Sequence, residues 1–378
     1  MVAIPNHHFF QWVNQLEASG FDVYWFDITA SGTAVDRISW VKQIRDWKQK
    51  IKYPFRITVK KNFPQLYHFI QKYNENNVTA AFQKIVNEIQ PDVVHCFEMK
   101  LAGLPILSVM EKRSDIKFLY SSWGSDMYYF KEMNIKKETV NQFLNRVDFL
   151  ITDCKRDYNI ALQNGFKNKF LGVFPGNGGI TLDTSETTQF ENRSTIIIKG
   201  YEDGVGKAIQ VLEALKKVPK DTIINYKIVV FSADKEVKSV LQKDTFFQNK
   251  NVTVFDRNGF LPNSELLAIM QKALLYIGNS ISDGMPNTLL EAMAMGAFPI
   301  QSNPGNVTEE VIEHGKNGFL IENPLNIDEI AQRITTALSD EKLRQDAQHY
   351  NLDFMKKNYD RKLLKDKIVD VYQHKIVQ

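Results

Sequence analysis

Short apolar runs of strand length alternate with helix-spaced segments along the whole chain, and the alternation breaks once, near its middle. That rhythm limits the fold to parallel sheets wrapped by helices. In the first half, Val2 to Ile4, Phe21 to Ile28, Asp92 to Cys96, Phe118 to Ser121 and Phe149 to Thr152 read as strands, while Phe9 to Ala18 and Val78 to Ile89 carry helical spacing. The pattern stops at Pro175-Gly176-Asn177-Gly178-Gly179, and a polar stretch through Thr181 to Ser194 without apolar periodicity marks a domain linker. It restarts with strands at Thr195 to Ile198, Tyr226 to Phe231, Val252 to Phe255 and Ala273 to Ile277, and with helices near Lys207 to Lys217 and Ser264 to Lys272. After Ala297 to Gln301 and Gly318 to Ile321, helices at Ile327 to Leu338, Glu341 to Tyr359 and Arg361 to His374 close the chain. A length of 378 residues exceeds what one core usually organises. The expectation is two α/β domains, residues 1–178 joined by a C-terminal helix at about 360–378, and residues 190–358.

Cys96 and Cys154 stand alone in their segments, so neither a disulfide framework nor a thiolate zinc site is expected, and a reducing compartment is. The start Met1-Val2-Ala3-Ile4-Pro5-Asn6-His7-His8 lacks a basic opening and a long apolar stretch, and no segment approaches the ~18 continuous apolar residues of a membrane span. A net charge of +3 does not favour nucleic acid as a partner. Its distribution is uneven: between Arg37 and Lys61, nine basic residues meet only Asp46 as an acid. This stretch reads as a solvated helix face followed by a basic strand edge, and it offers a surface to an anionic membrane or an anionic acceptor. The expectation is a cytosolic protein able to associate peripherally with the inner membrane face, with no obligatory protein partner.

The sharpest local signal runs from Ser280 to Gly296, SISDGMPNTLLEAMAMG. A strand ends near Asn279, a loop with Gly284 follows, Pro286 stands where a first helical position tolerates it, and Gly296 provides the stop. From about Met285 to Leu289, the backbone N–H groups of Met285, Asn287, Thr288 and Leu289 surround the start of a short helix whose entry Pro286 sets, where the dipole adds positive charge. A diphosphate can bind there without a metal. Glu291 in the opening turns can accept two ribose hydroxyls, and Asp283 can take hydroxyls of a sugar.

The segment resembles the donor-binding signature of the retaining family-four glycosyltransferases, the glycosyl transferases group 1, whose fold is GT-B. Two acids separated by seven residues, LEAMA-x-G, a small apolar strand and a Glu-x-Ile-x-x-Gly-x-x-Gly-x-Leu tail correspond to Asp283, Glu291, LEAMAMG, AFPIQS and Glu310 to Leu320. Pro91 to His95, Trp123-Gly124-Ser125-Asp126 and Val147 to Thr152 resemble further elements of that family. The chain departs from the pattern at Asp283 (usually Glu), at Trp123 (often His), and at Asn306, which replaces the second Gly of a Gly-Gly turn.

The resemblance implies two Rossmann-like domains with parallel sheets facing a central cleft and a C-terminal helix crossing back. The first domain would take the acceptor and the second a UDP or GDP sugar. Asp283, Lys207 and Glu291 are the implied catalytic residues, with Lys207 on the diphosphate. Lys199, Gly284, Met285, Pro286, Asn287, Thr288 and Leu289 complete the donor set. His7, His8, His95, Trp123, Ser125 and Asp126 are acceptor or cleft candidates, and all five tryptophans fall in the first domain. No Asp-x-Asp pair occurs, so a metal-independent, retaining hexosyl transfer to a glycan, lipid-linked or other hydroxyl acceptor in cell-envelope polysaccharide or glycoconjugate synthesis is implied, with no cofactor. A non-catalytic sugar-nucleotide-binding protein and a sugar-nucleotide epimerase of the same architecture are the alternatives.

Overall fold

The computed structural model describes residues 1–182, 190–259 and 261–376, so the centre of the expected linker, residues 183–189, lies outside the described residues. The chain forms two compact units: Met1–Thr152, Tyr158–Gly178 and Lys365–Gln378 make one, Asp153–Asp157 and Gly179–Leu364 the other.

The first unit holds strands β1 (Val2–Ala3), β2 (Tyr24–Asp27), β3 (Lys42–Ile44), β4 (Val93–Phe97), β5 (Lys117–Ser121), β6 (Phe149–Thr152) and β7 (Lys169–Val173). They pair in the order β3-β2-β1-β4-β5-β6-β7, all parallel. One face packs Val94, Cys96, Phe118 and Tyr120 into an aliphatic and aromatic core. The other face is aromatic, with Phe9 5.4 Å from Trp25 and Trp12 6.1 Å from Phe97 between ring centroids. The first helix, His7–Val13, begins where the Asn6 side chain accepts the Phe9 amide at 2.8 Å, a cap that the sequence Pro-Asn-His-His encodes locally.

The second unit holds β8 (Thr195–Lys199), β9 (Lys227–Ala233), β10 (Val252–Asp256), β11 (Ala273–Gly278), β12 (Phe298–Ser302) and β13 (Phe319–Ile321), in the parallel order β10-β9-β8-β11-β12-β13. Every residue of β11 is buried. Ile196 and Ile198 point into one core, Ile197 into another on the opposite face, so the run Ile196-Ile197-Ile198 is apolar without alternation because both faces are buried. Both units are Rossmann-like.

Two edge strands, β3 and β7, were not foreseen from the apolar pattern. Lys42-Gln43-Ile44 and Lys169-Phe170-Leu171-Gly172-Val173 sit at sheet edges, where one flank faces solvent and polar residues are tolerated. The basic stretch also departs from expectation. The strand edge comes first, at Lys42–Ile44, and the helical part follows as Arg56–Asn62 and Pro64–Asn74. The final helix ends at Asp370 and widens into a π-helical turn over Val371–Ile376. Among the described residues no helix is long and apolar enough to cross a membrane.

Candidate functional site

An open parallel sheet binds ligands beyond the carboxyl ends of its strands, at the point where the strand order reverses. In the second sheet that point lies between β8 and β11. The segments that follow Lys199 and Gly278 therefore occupy the ligand position.

These two segments are zipped together. The Lys207 amide donates to the Asn279 carbonyl at 2.9 Å, the Ile281 amide to the Val205 carbonyl at 3.0 Å, and the Asn279 side-chain amide to the Lys207 carbonyl at 3.0 Å. Gly206 makes the approach possible, since a Cβ there would meet the Tyr201 carbonyl oxygen and lie 2.5 Å from the Tyr201 Cβ. At the far end of the β8 loop, Glu202 accepts the Ile209 amide at 2.9 Å and so caps the helix Ala208–Lys217.

The helix after β11 spans Asn287–Ala294, with Pro286 as the residue before its first turn. Pro286 thus stands one place ahead of the expected first helical position, with φ −68° suited to either. Gly296, at φ +80°, supplies the left-handed stop after Met295. Pro286, at the cap position, makes no side-chain cap hydrogen bond, and the first turn carries no acid. The Leu289 amide is taken by the Pro286 carbonyl at 3.0 Å, whereas among the described residues the amides of Gly284, Met285 and Thr288 meet no acceptor. An uncapped start with outward N–H groups is an anion site in waiting.

Charged groups gather beside it. The Lys199 ammonium lies 3.5 Å from an Asp283 carboxylate oxygen and 4.6 Å from the centre of the Tyr201 ring. Burial lowers Lys199, but Asp283 together with Tyr276 and Tyr201 outweighs it and holds the ammonium above its ordinary range. Tyr276, fully buried at the end of β11, shares a 2.9 Å hydrogen bond with the Thr288 hydroxyl, and burial pushes its phenol up to about 12. Glu291 is 6% exposed and accepts from the Asn263 side chain at 3.1 Å. Burial lifts its carboxyl to about 7, against the pull of Asn263 and Arg361. Asp283 and Glu291 therefore differ in chemistry: one is paired with an ammonium, the other holds its proton near neutral pH.

Arg156 was not singled out by the sequence. Its guanidinium donates to the Asp283 carbonyl at 2.8 Å and to the Pro304 carbonyl at 2.7 Å, tying two loops of the second unit together. Glu310 in turn accepts the Lys155 and Arg156 amides at 2.9 and 3.1 Å. Asn306, where the resembled family has glycine, lies at φ +63° beside Gly305 at φ +60°, a left-handed conformation that asparagine tolerates better than most residues.

Lys207 is half-exposed, and its ammonium donates to the Gly204 carbonyl at 2.7 Å. In the first unit, His7 and His8 open the first helix and are partly exposed, with the His7 Nδ1 3.0 Å from Arg37. Trp123 is half-buried on Phe97 at 4.8 Å, and the backbone carbonyl of the half-buried Ser125 accepts the Tyr129 amide at 2.8 Å. His95 and Asp126 are both buried in the first unit. His95 is 1% exposed, and its ring nitrogens engage the Tyr372 hydroxyl at 2.6 Å and the Ser121 hydroxyl at 2.8 Å. Burial holds this imidazole well below its ordinary value, so it is a neutral core residue. Asp126 is buried and accepts the Met99 amide at 2.7 Å and the Tyr120 hydroxyl, which makes it an anchor for the turn after β4.

Among the described residues Asp153, Cys154 and Asp157 bring potential metal-binding atoms within 4.8 Å of one another. Asp157 is already paired with Arg156 at 2.8 Å, and burial pushes the Cys154 thiol up. This is the chemistry of a buried ion pair. A cavity of about 340 Å³ in the first unit, lined by Val2, Tyr24, Phe82, Val86 and Val93, opens at the amino ends of β1, β2 and β4, opposite the carboxyl ends at which open α/β sheets bind ligands.

Residues 187–353 match the family model described as "Glycosyl transferases group 1", and residues 57–154 match "Glycosyl transferase 4-like". An "Uncharacterized glycosyltransferase" of Haemophilus influenzae is 20% identical over 273 residues, covering 71% of this chain and 72% of that protein. Among solved structures, sucrose-phosphate synthase from Thermosynechococcus elongatus matches with a TM-score of 0.70 at 14% identity over 98% of each chain. Anabaena HepE, solved with UDP and glucose, matches with a TM-score of 0.68 at 13% identity over 98% of each chain. The lipopolysaccharide outer core galactosyltransferase WaaB matches with a TM-score of 0.68 at 14% identity over 99% of this chain and 98% of its own. At these identities the structural matches speak to the fold.

Proposed function

We propose, for a chain that belongs to the GT-B glycosyltransferases through its glycosyl transferases group 1 domain, that it transfers a sugar from a nucleoside diphosphate sugar to a hydroxyl acceptor with retention at the anomeric carbon. The observation that carries this reading is the convergence, beyond the ends of β8 and β11, of an uncapped helix start, two lysines and two carboxyls of unlike environment.

In this reading the diphosphate lies on the amides of Gly284, Met285 and Thr288, and Lys207 exchanges the Gly204 carbonyl for a phosphate oxygen. Lys199 holds Asp283 toward the sugar, and Glu291 accepts the ribose hydroxyls as a carboxylate. The bond from the anomeric carbon to the phosphate oxygen breaks, and the acceptor oxygen forms its bond on the same face. The acceptor proton passes to the departing diphosphate, so no protein base is needed. Stabilising the charge that develops on the leaving group is then the main task, which fixed amides and an ammonium perform without reorganisation. Positive charge from these groups makes a divalent cation dispensable. The first unit takes the acceptor, a glycan or lipid-linked hydroxyl of cell-envelope polysaccharide or glycoconjugate synthesis.

Calorimetric titration with UDP, GDP and their sugars tests the donor assignment. Because HepE was solved with UDP and glucose, UDP sugars head the panel. One nucleotide is expected to bind, with binding and transfer unchanged by EDTA, and NMR of the product is expected to show the anomeric configuration of the donor. Inversion, or a requirement for magnesium, would overturn the corresponding part of the proposal.

A further inference from the structure

Helices Arg56–Asn62 and Pro64–Asn74 wear their polarity the wrong way round for a globular surface. The buried residues of the second are Tyr67, Gln71 and Asn74, two of them amides. On its open side Leu66, Phe69 and Tyr73 are 50%, 64% and 63% exposed. The first helix buries nothing, and Phe55 and Ile57 at its start are 78% and 82% exposed. With Ile51 and Phe63, seven of the fifteen exposed large apolar side chains of the described residues fall between positions 51 and 73. Singly scattered apolar residues are ordinary on a surface, but a concentration of this kind marks an interaction site.

The element is well built. The Lys50 amide donates to the Asn74 carbonyl at 2.9 Å, the Asn76 amide to the Lys48 carbonyl at 2.7 Å, and the Ile51 amide to the Asn74 side chain at 2.9 Å, which clamps its base. Arg56 reaches from the first helix to the Tyr67 hydroxyl of the second at 3.0 Å. Phe69 and Tyr73 stack edge to face with centroids 5.5 Å apart.

Charge identifies the partner. From Lys50 to Tyr73 there are six basic residues, Lys50, Lys52, Arg56, Lys60, Lys61 and Lys72, and no acid. The acids that flank this run are both occupied, Asp46 by Lys52 at 2.9 Å and Glu75 by Lys48 at 3.5 Å. A second copy of the chain would bring the same cations face to face and be repelled. Exposed aromatic and aliphatic side chains interspersed along the sequence with long cationic ones fit a lipid interface, where rings sit at headgroup depth and ammonium groups meet phosphates. We propose that this helical pair docks the protein on the surface of an anionic lipid bilayer. The inference is independent of the donor site, which is built from other residues.

Co-sedimentation of the full chain with phosphatidylcholine vesicles, with and without phosphatidylglycerol, is the test. Binding is expected only to the anionic vesicles and should weaken as salt rises. The pair Phe55→Ser with Phe69→Ser, and separately Lys60→Glu with Lys61→Glu, should each lower affinity about tenfold or more. These side chains support no core, and nucleotide binding measured on the same variants, expected to be unchanged, separates failure of docking from failure of the donor assignment. Equal binding to neutral vesicles, no binding at all, or wild-type affinity in both variants overturns the proposal. So does self-association in sedimentation velocity that the lysine reversals abolish.

Discussion

Glu291 is the residue whose environment makes the clearest demand. An unfolded chain releases this proton near the ordinary 4.5, and the folded chain near 7, because burial penalises the carboxylate. Between those values the folded state holds one more proton, so stability falls as pH rises through that window, by on the order of 3 kcal/mol. Glu291→Gln removes that loss: its melting temperature should exceed that of the wild type at pH 8 and converge with it near pH 4.5. If the carboxylate accepts two ribose hydroxyls, nucleotide binding must release the proton, and wild-type affinity should drop roughly tenfold per unit below pH 7. Calorimetry in buffers of different ionisation heat checks this, and a pH-independent affinity would remove Glu291 from the ribose. The Lys199–Asp283 pair makes a second demand. At about one-fifth exposure of each side chain, the pair is partly screened, and a double-mutant cycle with Lys199→Ala and Asp283→Ala should give a coupling of about 1 kcal/mol in donor kcat/KM. Additive losses would show that Lys199 does not orient Asp283. Lys207→Ala, by contrast, should lower kcat by about a hundredfold with little effect on melting, since the hydrogen bond its ammonium makes goes to an exposed carbonyl.

The strand-end segments depend on one close approach. Gly206→Ala drives a methyl into the Tyr201 backbone, so the loop between β8 and its helix must shift away from Asn279. A loss of about 1–3 kcal/mol in denaturant unfolding, with nucleotide affinity falling by more than stability alone explains, is expected. Alanine tolerated on both counts would mean that the zipped geometry is not needed. Local chemistry made the helix Asn287–Ala294 legible in the sequence: Pro286 before it, Gly296 after it and an unbroken apolar strand ahead of it are all short-range signals. Where the signal is not local, the sequence is silent. Arg156 stands 127 residues before the Asp283 carbonyl it holds, and nothing in its own neighbourhood announces the contact. β3 and β7 escaped because an edge strand need not alternate apolar and polar residues. His95, in the run DVVHC, is indistinguishable by pattern from a site histidine; only the Tyr372 hydroxyl, 277 residues away, shows that it serves the core.

At the scale of the whole chain, each unit closes its own core: the clusters around Phe118 and Tyr120 lie in the first, those around Ile196 to Ile198 in the second. All proposed donor-binding residues belong to the second unit, whereas all five tryptophans, Trp12, Trp25, Trp40, Trp47 and Trp123, belong to the first. Tryptophan fluorescence therefore reports melting of the first unit, and far-ultraviolet circular dichroism reports both. A nucleotide at about a hundred times its Kd stabilises the fold that binds it by about 2.7 kcal/mol. With saturating nucleotide, the circular dichroism transition should acquire a component at higher temperature while the tryptophan transition stays in place. A fluorescence transition that moves upward alone would put the nucleotide in the first unit and remove the donor site from the ends of β8 and β11. Movement of both together would show that the two units unfold as one cooperative body.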